Sequence, residues 1–101
     1  MADLQEMLKQ AQKLQEEMES TQQRLESTDI EGASGGAAFK ITGSSKFISF
    51  TLTDDLLRKS KGEIEGAILE AAQDAIAKAK ALHEEEMKRI TAGLNLPGMG
   101  A

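Results

Sequence analysis

The first part of the chain carries mainly apolar side chains at alternating steps of three and four residues. These positions are Leu4, Met7, Ala11, Leu14, Met18, Thr21 and Leu25. This spacing predicts an amphipathic helix from Ala2 to Ser27 with a heptad-like seam. Because the seam is narrow and the other positions are mostly Gln, Glu and Lys, the helix cannot be buried within one chain of 101 residues. We therefore expect it to pack on a partner surface and the chain to dimerise.

Alternation with a period of two replaces the helical period after this helix. It predicts three short strands, with the ranges Ile30–Gly32, Ala37–Thr42 and Lys46–Thr53. Gly35 and Gly36 supply the positive φ angles that a tight hairpin needs, so the strands should form an antiparallel meander.

One face of this sheet is expected to be apolar. In the second and third strands its members are Phe39, Ile41, Ile48, Phe50 and Leu52. Strict alternation places Phe47 on the opposite face. A sheet with one apolar face needs helices to cover it.

The second half of the chain is expected to be helical. Thr53, Asp54 and Asp55 offer capping oxygens for a short helix near Leu56, and Gly62 is expected to interrupt it. A long helix then follows over residues 63–91. Its apolar face consists of Ile64, Ala67, Ile68, Ala71, Ala72, Ala75, Ile76, Ala79 and Leu82. Beyond these positions the sequence is charged, so that end should project from the core. Residues 1–91 thus form one α+β domain, and residues 92–101 form a Gly- and Pro-containing flexible tail.

Composition limits the chemistry and the compartment. The chain has no cysteine and only three aromatic residues, all Phe. It contains no apolar run near the roughly 20 residues of a membrane span, and its acidic, Gln-rich start does not resemble a signal peptide. We expect a soluble cytoplasmic protein with no membrane partner and no disulfides.

The sequence contains almost no side chains that could act in catalysis. His83 is the only histidine and has no cysteine to activate, and the adjacent acids of the same helix point in different directions. Gly35 and Gly36 are not followed by the lysine and hydroxyl of a phosphate loop. The sequence therefore predicts no catalytic site, metal, cofactor or small-molecule substrate.

Two classes of interaction protein remain open. The net charge of −5 disfavours general attraction to polyanions, so a nucleic-acid-binding dimer would need local basic patches. Basic residues do cluster weakly on the first helix, near Arg58, Lys59 and Lys61, and on the last helix, but acids lie between them. A dimeric coiled-coil-like adaptor that binds other proteins is the alternative, and composition alone favours it.

Five segments in order resemble the YbaB/EbfC family of bacterial nucleoid-associated proteins. They are LQEMLKQAQKLQEEM at 4–18, IEGASGG at 30–36, TDDLL at 53–57, AILEAAQDAIAKA at 67–79 and AGLNLPGM at 92–99. The resemblance implies a homodimer with projecting, tweezer-like helical arms that binds double-stranded DNA in the nucleoid. Relatives often carry Asp-Pro-Ser where this chain has Thr53, Asp54 and Asp55, which keeps the cap but loses the proline.

The resemblance makes DNA binding with low sequence specificity the expected function. The expected phosphate contacts are Lys9, Lys13, Lys78, Lys80, Lys88 and Arg89, and the expected dimer or helix-packing seam is Leu4, Met7, Leu14, Met18 and Leu25. The first helix has three basic residues against six acids, so its capacity to neutralise phosphates is modest.

Overall fold

A computed structural model describes residues 3–94 of the chain, with side chains to residue 93. In chain order the elements are α1 (Leu4–Glu26), β1 (Asp29–Ser34), β2 (Ala37–Thr42), β3 (Phe47–Leu52), α2 (Asp54–Leu57) and α3 (Lys61–Leu94). The α+β class and the order helix, antiparallel meander, helix are confirmed. The expected tail lies outside the described residues from position 95 onward, while residues 92–94 belong to α3.

The sheet has the order β1-β2-β3, and all pairings are antiparallel. Gly35 and Gly36 connect β1 to β2 with φ angles of 56° and 100°. These positive angles are those that a two-residue hairpin turn requires, and glycine adopts them at little cost. The hairpin that the paired glycines predicted is therefore present.

A bulge in β3 changes the predicted faces of that strand. Lys40 pairs with Ser49 and Ile41 pairs with Phe47, so Ile48 is an extra residue in β3. Phe47 therefore lies on the same face as Ile41, and its ring contacts Phe39 edge-on at a centroid distance of 5.3 Å. The strict alternation that placed Phe47 opposite to Ile48 was wrong, because it assumed an uninterrupted ladder.

The core lies between the sheet and α3. Ala67, Ala71, Ala75 and Ala79 form a buried stripe on the helix, as the sequence predicted, and this stripe packs mainly on β1 and β2. Gly32 allows the close approach, since a Cβ there would lie 2.5 Å from the Ala75 Cα and 2.6 Å from the Ala71 carbonyl oxygen. Small side chains on both surfaces let the helix and the sheet pack backbone to backbone.

Two caps divide the second half of the chain. The Thr53 hydroxyl accepts a hydrogen bond from the Leu56 N–H at 3.2 Å and caps α2, as predicted. The Ser60 hydroxyl accepts from the Glu63 N–H at 3.2 Å and donates to the Glu63 carboxylate at 3.3 Å, so it caps the start of α3. The interruption therefore lies at residues 58–60, and the expectation that Gly62 breaks the helix was wrong because Gly62 lies within α3.

The far end of α3 extends beyond the sheet alongside α1, and we call this antiparallel pair the arm. The described part of the chain measures 70 × 27 × 14 Å. Thr21 and Leu25 of α1 and Ile90 of α3 are buried. The end beyond Leu82 projects as predicted, but it does so paired with α1. Within residues 3–94, no helix is both long and apolar enough to cross a membrane.

Candidate nucleic-acid interface

The arm brings together basic residues that are distant in the sequence. Its antiparallel direction places Arg24 opposite Glu86 and Thr21 opposite Arg89. Lys13 of α1 and Arg89 of α3 line the same small cavity, which has a volume of about 120 Å³. Two of the expected phosphate contacts therefore lie on one surface of the arm.

Glu86 neutralises part of this basic surface. Its carboxylate accepts hydrogen bonds from Arg24 Nη2 at 2.6 Å and from Arg89 Nη2 at 3.0 Å. The Arg89 hydrogen bond, followed by the charges of Arg24 and Arg89, lowers the pKa of Glu86, while partial burial opposes that change. The two guanidinium groups thus connect α1 to α3 through one carboxylate.

Lys78 is held at the outer edge of the sheet. Its ammonium lies 3.1 Å from the Asp74 carboxylate and donates to the Glu31 carbonyl oxygen at 3.1 Å. Asp74 in turn accepts the Ala33 N–H at 3.0 Å. This backbone hydrogen bond, followed by the Lys78 side chain, lowers the pKa of Asp74. Side chains of α3 thereby satisfy backbone groups of β1 that point away from β2.

The expected phosphate contacts therefore fall into two groups. Lys78 and Arg89 are bound to carboxylates at i,i+4 and i,i+3 spacing, but Glu6 and Lys9 share the i,i+3 spacing and form no ion pair, so spacing alone does not select the bound cations. The others are exposed and form no ion pair within 4.0 Å among the side chains of residues 3–93: Lys9, Lys13, Lys80 and Lys88. Arg24, which the sequence analysis did not select, joins the arm through Glu86.

Large apolar surfaces remain uncovered in the single chain. In the α1 seam, Leu4 is 72% exposed and Met7 is 62% exposed, Met18 is also exposed, Leu14 is half-buried and Leu25 is buried. On the sheet, α3 leaves the β3 side open, where Phe50 is 56% exposed and Phe47 is exposed too. Of the five predicted seam residues, only Leu25 is fully buried within one chain.

Other kinds of site find little support in the described part of the chain. Residues 3–93 contain no group of three or more His, Cys, Asp or Glu side chains that could hold a metal ion. His83 lies on α3 and is exposed. The surface offers cationic side chains and apolar patches, which suit binding to a partner.

Comparison with known families identifies the chain. A model of the YbaB/EbfC DNA-binding family matches residues 1–94. The chain belongs to this family. Four of the five segments that carried the resemblance lie within the matched range and the fifth begins at its end, so the family assignment made from the sequence is confirmed.

Two relatives agree with this assignment, and a solved structure shares the fold. A nucleoid-associated protein of Synechococcus sp. strain RCC307 is 37% identical, with 96% of this chain and 89% of the relative covered. A nucleoid-associated protein of Rhodopseudomonas palustris strain HaA2 is 39% identical, with 99% and 98% covered. The crystal structure of the uncharacterized protein HP0035 from Helicobacter pylori has a TM-score of 0.78 at 13% identity, covering 87% of this chain and 96% of that one, so the two share the fold.

Proposed function

We propose that the protein binds double-stranded DNA in the bacterial nucleoid as a homodimer, through backbone phosphates and with low sequence specificity. The observation that carries this proposal is the match to the YbaB/EbfC DNA-binding family across residues 1–94. The names of the nucleoid-associated relatives support the same location. The protein has no enzymatic role in this proposal.

The arm supplies the contacts. Lys9, Lys13, Lys80 and Lys88 are exposed and free of carboxylate partners among the described side chains, so each can approach a phosphate without breaking an ion pair. The other two expected contacts would first have to leave Asp74 or Glu86. We therefore propose the four free lysines as the principal contacts and the paired residues as secondary ones.

Low specificity follows from the kind of side chain available. Phosphate contacts fix the position of a protein on a duplex but carry no sequence information, which is read at the base edges. The arm presents ammonium groups, and the three Phe residues of the chain belong to the sheet. With a net charge of −5, binding must depend on these local cations and must weaken as salt rises.

The homodimer is supported by the uncovered apolar surfaces. Phe39 stacks on Phe50 at a centroid distance of 5.3 Å, and this aromatic cluster continues to the exposed edge at β3. Leaving such a patch and the α1 seam in water costs free energy of about 25 cal/mol for each Å² of apolar surface. A second copy that covers the β3 side of the sheet removes this cost and sets two arms on one particle.

A dimeric adaptor that binds protein partners is the second candidate. It is favoured by one observation, the exposed seam residues Leu4, Met7 and Met18 of α1, which could receive an amphipathic helix. This candidate predicts binding that depends little on salt.

A salt series with a charge-reversal variant tests the proposal. Fluorescence anisotropy with unrelated duplexes should give log-log slopes of about −0.9 for each phosphate neutralised. The double variant Lys9→Glu, Lys13→Glu should weaken binding to every duplex by a similar factor, because both lysines contact backbone. The double variant Lys59→Glu, Lys61→Glu is the matched control, since it makes the same change in charge outside the arm.

Three results would contradict parts of this proposal. Equal loss in both double variants would mean that total charge, and not the arm, governs binding. Loss on one duplex sequence only would indicate base recognition. Absence of binding to any duplex at roughly 50 mM salt, where the electrostatic contribution is large, would leave the adaptor candidate.

A further inference from the structure

A polar cavity lies at the base of the arm, where the β2–β3 turn meets both long helices. Its volume is about 340 Å³. Its polar side chains come from α1, the turn and α3, and they are Gln22, Ser44, Ser45, Lys80, His83 and Glu84. We call it the arm-base cavity. Only Lys80 of this set was selected from the sequence, because the other residues come together only in the fold.

The turn that forms one wall is fixed to the end of α1 and to the link that follows it. Gly43 donates its N–H to the Thr28 carbonyl oxygen at 2.9 Å, and a Cβ at Gly43 would lie 2.8 Å from the Leu25 carbonyl oxygen. Ser45 donates its N–H to the Thr42 carbonyl oxygen at 2.9 Å. Its φ of 69° makes it the sole non-glycine residue with a positive φ among residues 3–94. This fixed backbone places both serines in the wall that faces α3, and the Ser44 hydroxyl also hydrogen-bonds with the Thr42 hydroxyl at 2.9 Å.

The cavity combines several hydrogen-bond donors with one free positive charge. Lys80 and His83 are three residues apart on α3 and so project from the same side of the helix. The imidazole ring carries an N–H donor even when it is neutral, and serine hydroxyls can also donate. Within the described residues, the Lys80 ammonium has no carboxylate within 4.0 Å, unlike Lys78. A phosphate group, which mainly accepts hydrogen bonds and is negatively charged, matches this set of donors.

The position of Glu84 favours a phosphate of the DNA backbone over a free phosphate ion. Its carboxylate lines the same cavity and repels an anion, so a free phosphate ion would bind weakly. A phosphate within a polyanion gains from the other contacts on the same strand. Lys88 lies two turns further along α3, about 12 Å from Lys80, which equals the rise of three to four base pairs. One DNA backbone can therefore contact Lys88 while a phosphate enters the cavity.

We propose that the arm-base cavity binds one phosphate of the DNA backbone, with Lys80, His83 and the hydroxyls of Ser44 and Ser45 as its contacts. This proposal rests on the DNA-binding function proposed above. It adds a site at the junction of the arm and the sheet, so that the duplex is held at the base of the arm as well as along it.

Charge-neutralising variants with opposite expected signs test the site. Lys80→Gln should weaken duplex binding about tenfold at low salt, and should reduce the salt slope by about 0.9 for each Lys80 that contacts the duplex. Glu84→Gln should strengthen binding, because it removes repulsion and retains the size of the side chain. Lys61→Gln is the matched control for the loss of one positive charge and should have little effect on affinity.

Ser45→Gly separates contact from folding. Glycine accepts the positive φ of this position without strain, so the melting temperature should stay the same or rise. The hydroxyl is lost, however, and duplex affinity should fall several-fold. A fall in affinity together with a fall in melting temperature would indicate a structural role for Ser45 and would count against the proposed contact.

Chemical shifts of backbone amides distinguish the possible failures. Titration of the full-length protein with a short duplex should shift the amides of Ser44, Ser45 and His83. If the wild type binds duplex with a salt slope but Lys80→Gln behaves like Lys61→Gln, the cavity proposal is wrong and the DNA-binding function stands. If no duplex binds, the function itself fails. If inorganic phosphate alone then shifts these amides, the cavity is a site for free phosphate and its assignment to DNA is overturned.

Discussion

Gly32→Ala should destabilise the protein strongly, because it adds a methyl group where α3 touches β1. The new Cβ would meet the Ala75 N and would lie 2.5 Å from the Ala75 Cα and 2.6 Å from the Ala71 carbonyl oxygen. All three atoms belong to the helix backbone, so no side chain can rotate to make room. The helix must move outward, which would open the contacts made by Ala71 and Ala75, both now fully buried.

The size of this effect follows from the packing. Inserting a methyl group into a packed core costs about 1–3 kcal/mol, and we expect the upper end of that range here because the obstacle is backbone. For a domain of about 100 residues, this lowers the melting temperature by at least about 10 °C. Gly66→Ala is the control with the opposite sign. Its Cβ meets nothing within 4 Å, and alanine in a helix interior gains up to about 1 kcal/mol over glycine.

Thermal unfolding at one fixed chain concentration measures both variants, since association also raises apparent stability. The Gly32→Ala protein should unfold well below the wild type, and Gly66→Ala slightly above it. An unchanged melting temperature for Gly32→Ala would refute the close packing of α3 on β1. Equal losses in both variants would instead mean that the loss at Gly32 does not come from a lack of local space, because Gly66 has room for a Cβ.

Four further predictions concern the dimer, the arm and the helix cap. Phe50→Asp should dissociate the dimer, with sedimentation equilibrium moving from twice the 10.9 kDa chain mass toward one. Leu14→Asp should reduce association or melting temperature, and no change in either would contradict the seam. Because the pKa of Glu86 is lowered, the ionised carboxylate stabilises the protein above the ordinary carboxylate range, and this stabilisation is lost as pH falls through the lowered pKa. Glu86→Gln should therefore reduce the loss of melting temperature on acidification. Ser60→Ala should cost about 1 kcal/mol in urea unfolding, because it removes the cap of α3.

Periodicity in the sequence was enough to predict the elements and their order. The alanine stripe of α3 and the glycine pair of the hairpin each reflect a local rule, so they could be interpreted one segment at a time. Ser60 and Glu63 also have the spacing of a capping signature, which marks the start of α3 correctly in the sequence. Gly62 was a poor indicator of a helix break, since an exposed glycine is tolerated within a long helix.

The remaining features depend on contacts between distant segments. The bulge at Ile48 comes from the pairing of β2 with β3, and no alternation within β3 reveals it. The arm-base cavity is lined by both Ser44 and His83, which are far apart in the sequence. In the sequence, Lys78 and Arg89 look equivalent to Lys9. Only the fold shows that Asp74, the partner of Lys78, also binds β1, and that Glu86, the partner of Arg89, also binds Arg24.

The side chains that cover β1 also decide how far the sheet can grow. Unpaired strand edges invite further strands, and a sheet with two open edges can extend into a fibre. Here Lys78 and Asp74 occupy the outward carbonyl oxygen of Glu31 and the outward N–H of Ala33, so within the described residues β3 is the more open edge of the sheet. Addition at a single open edge ends once two chains have met. The ion pair on α3 thus hinders the addition of a strand at β1 and leaves β3 as the edge where another strand could pair.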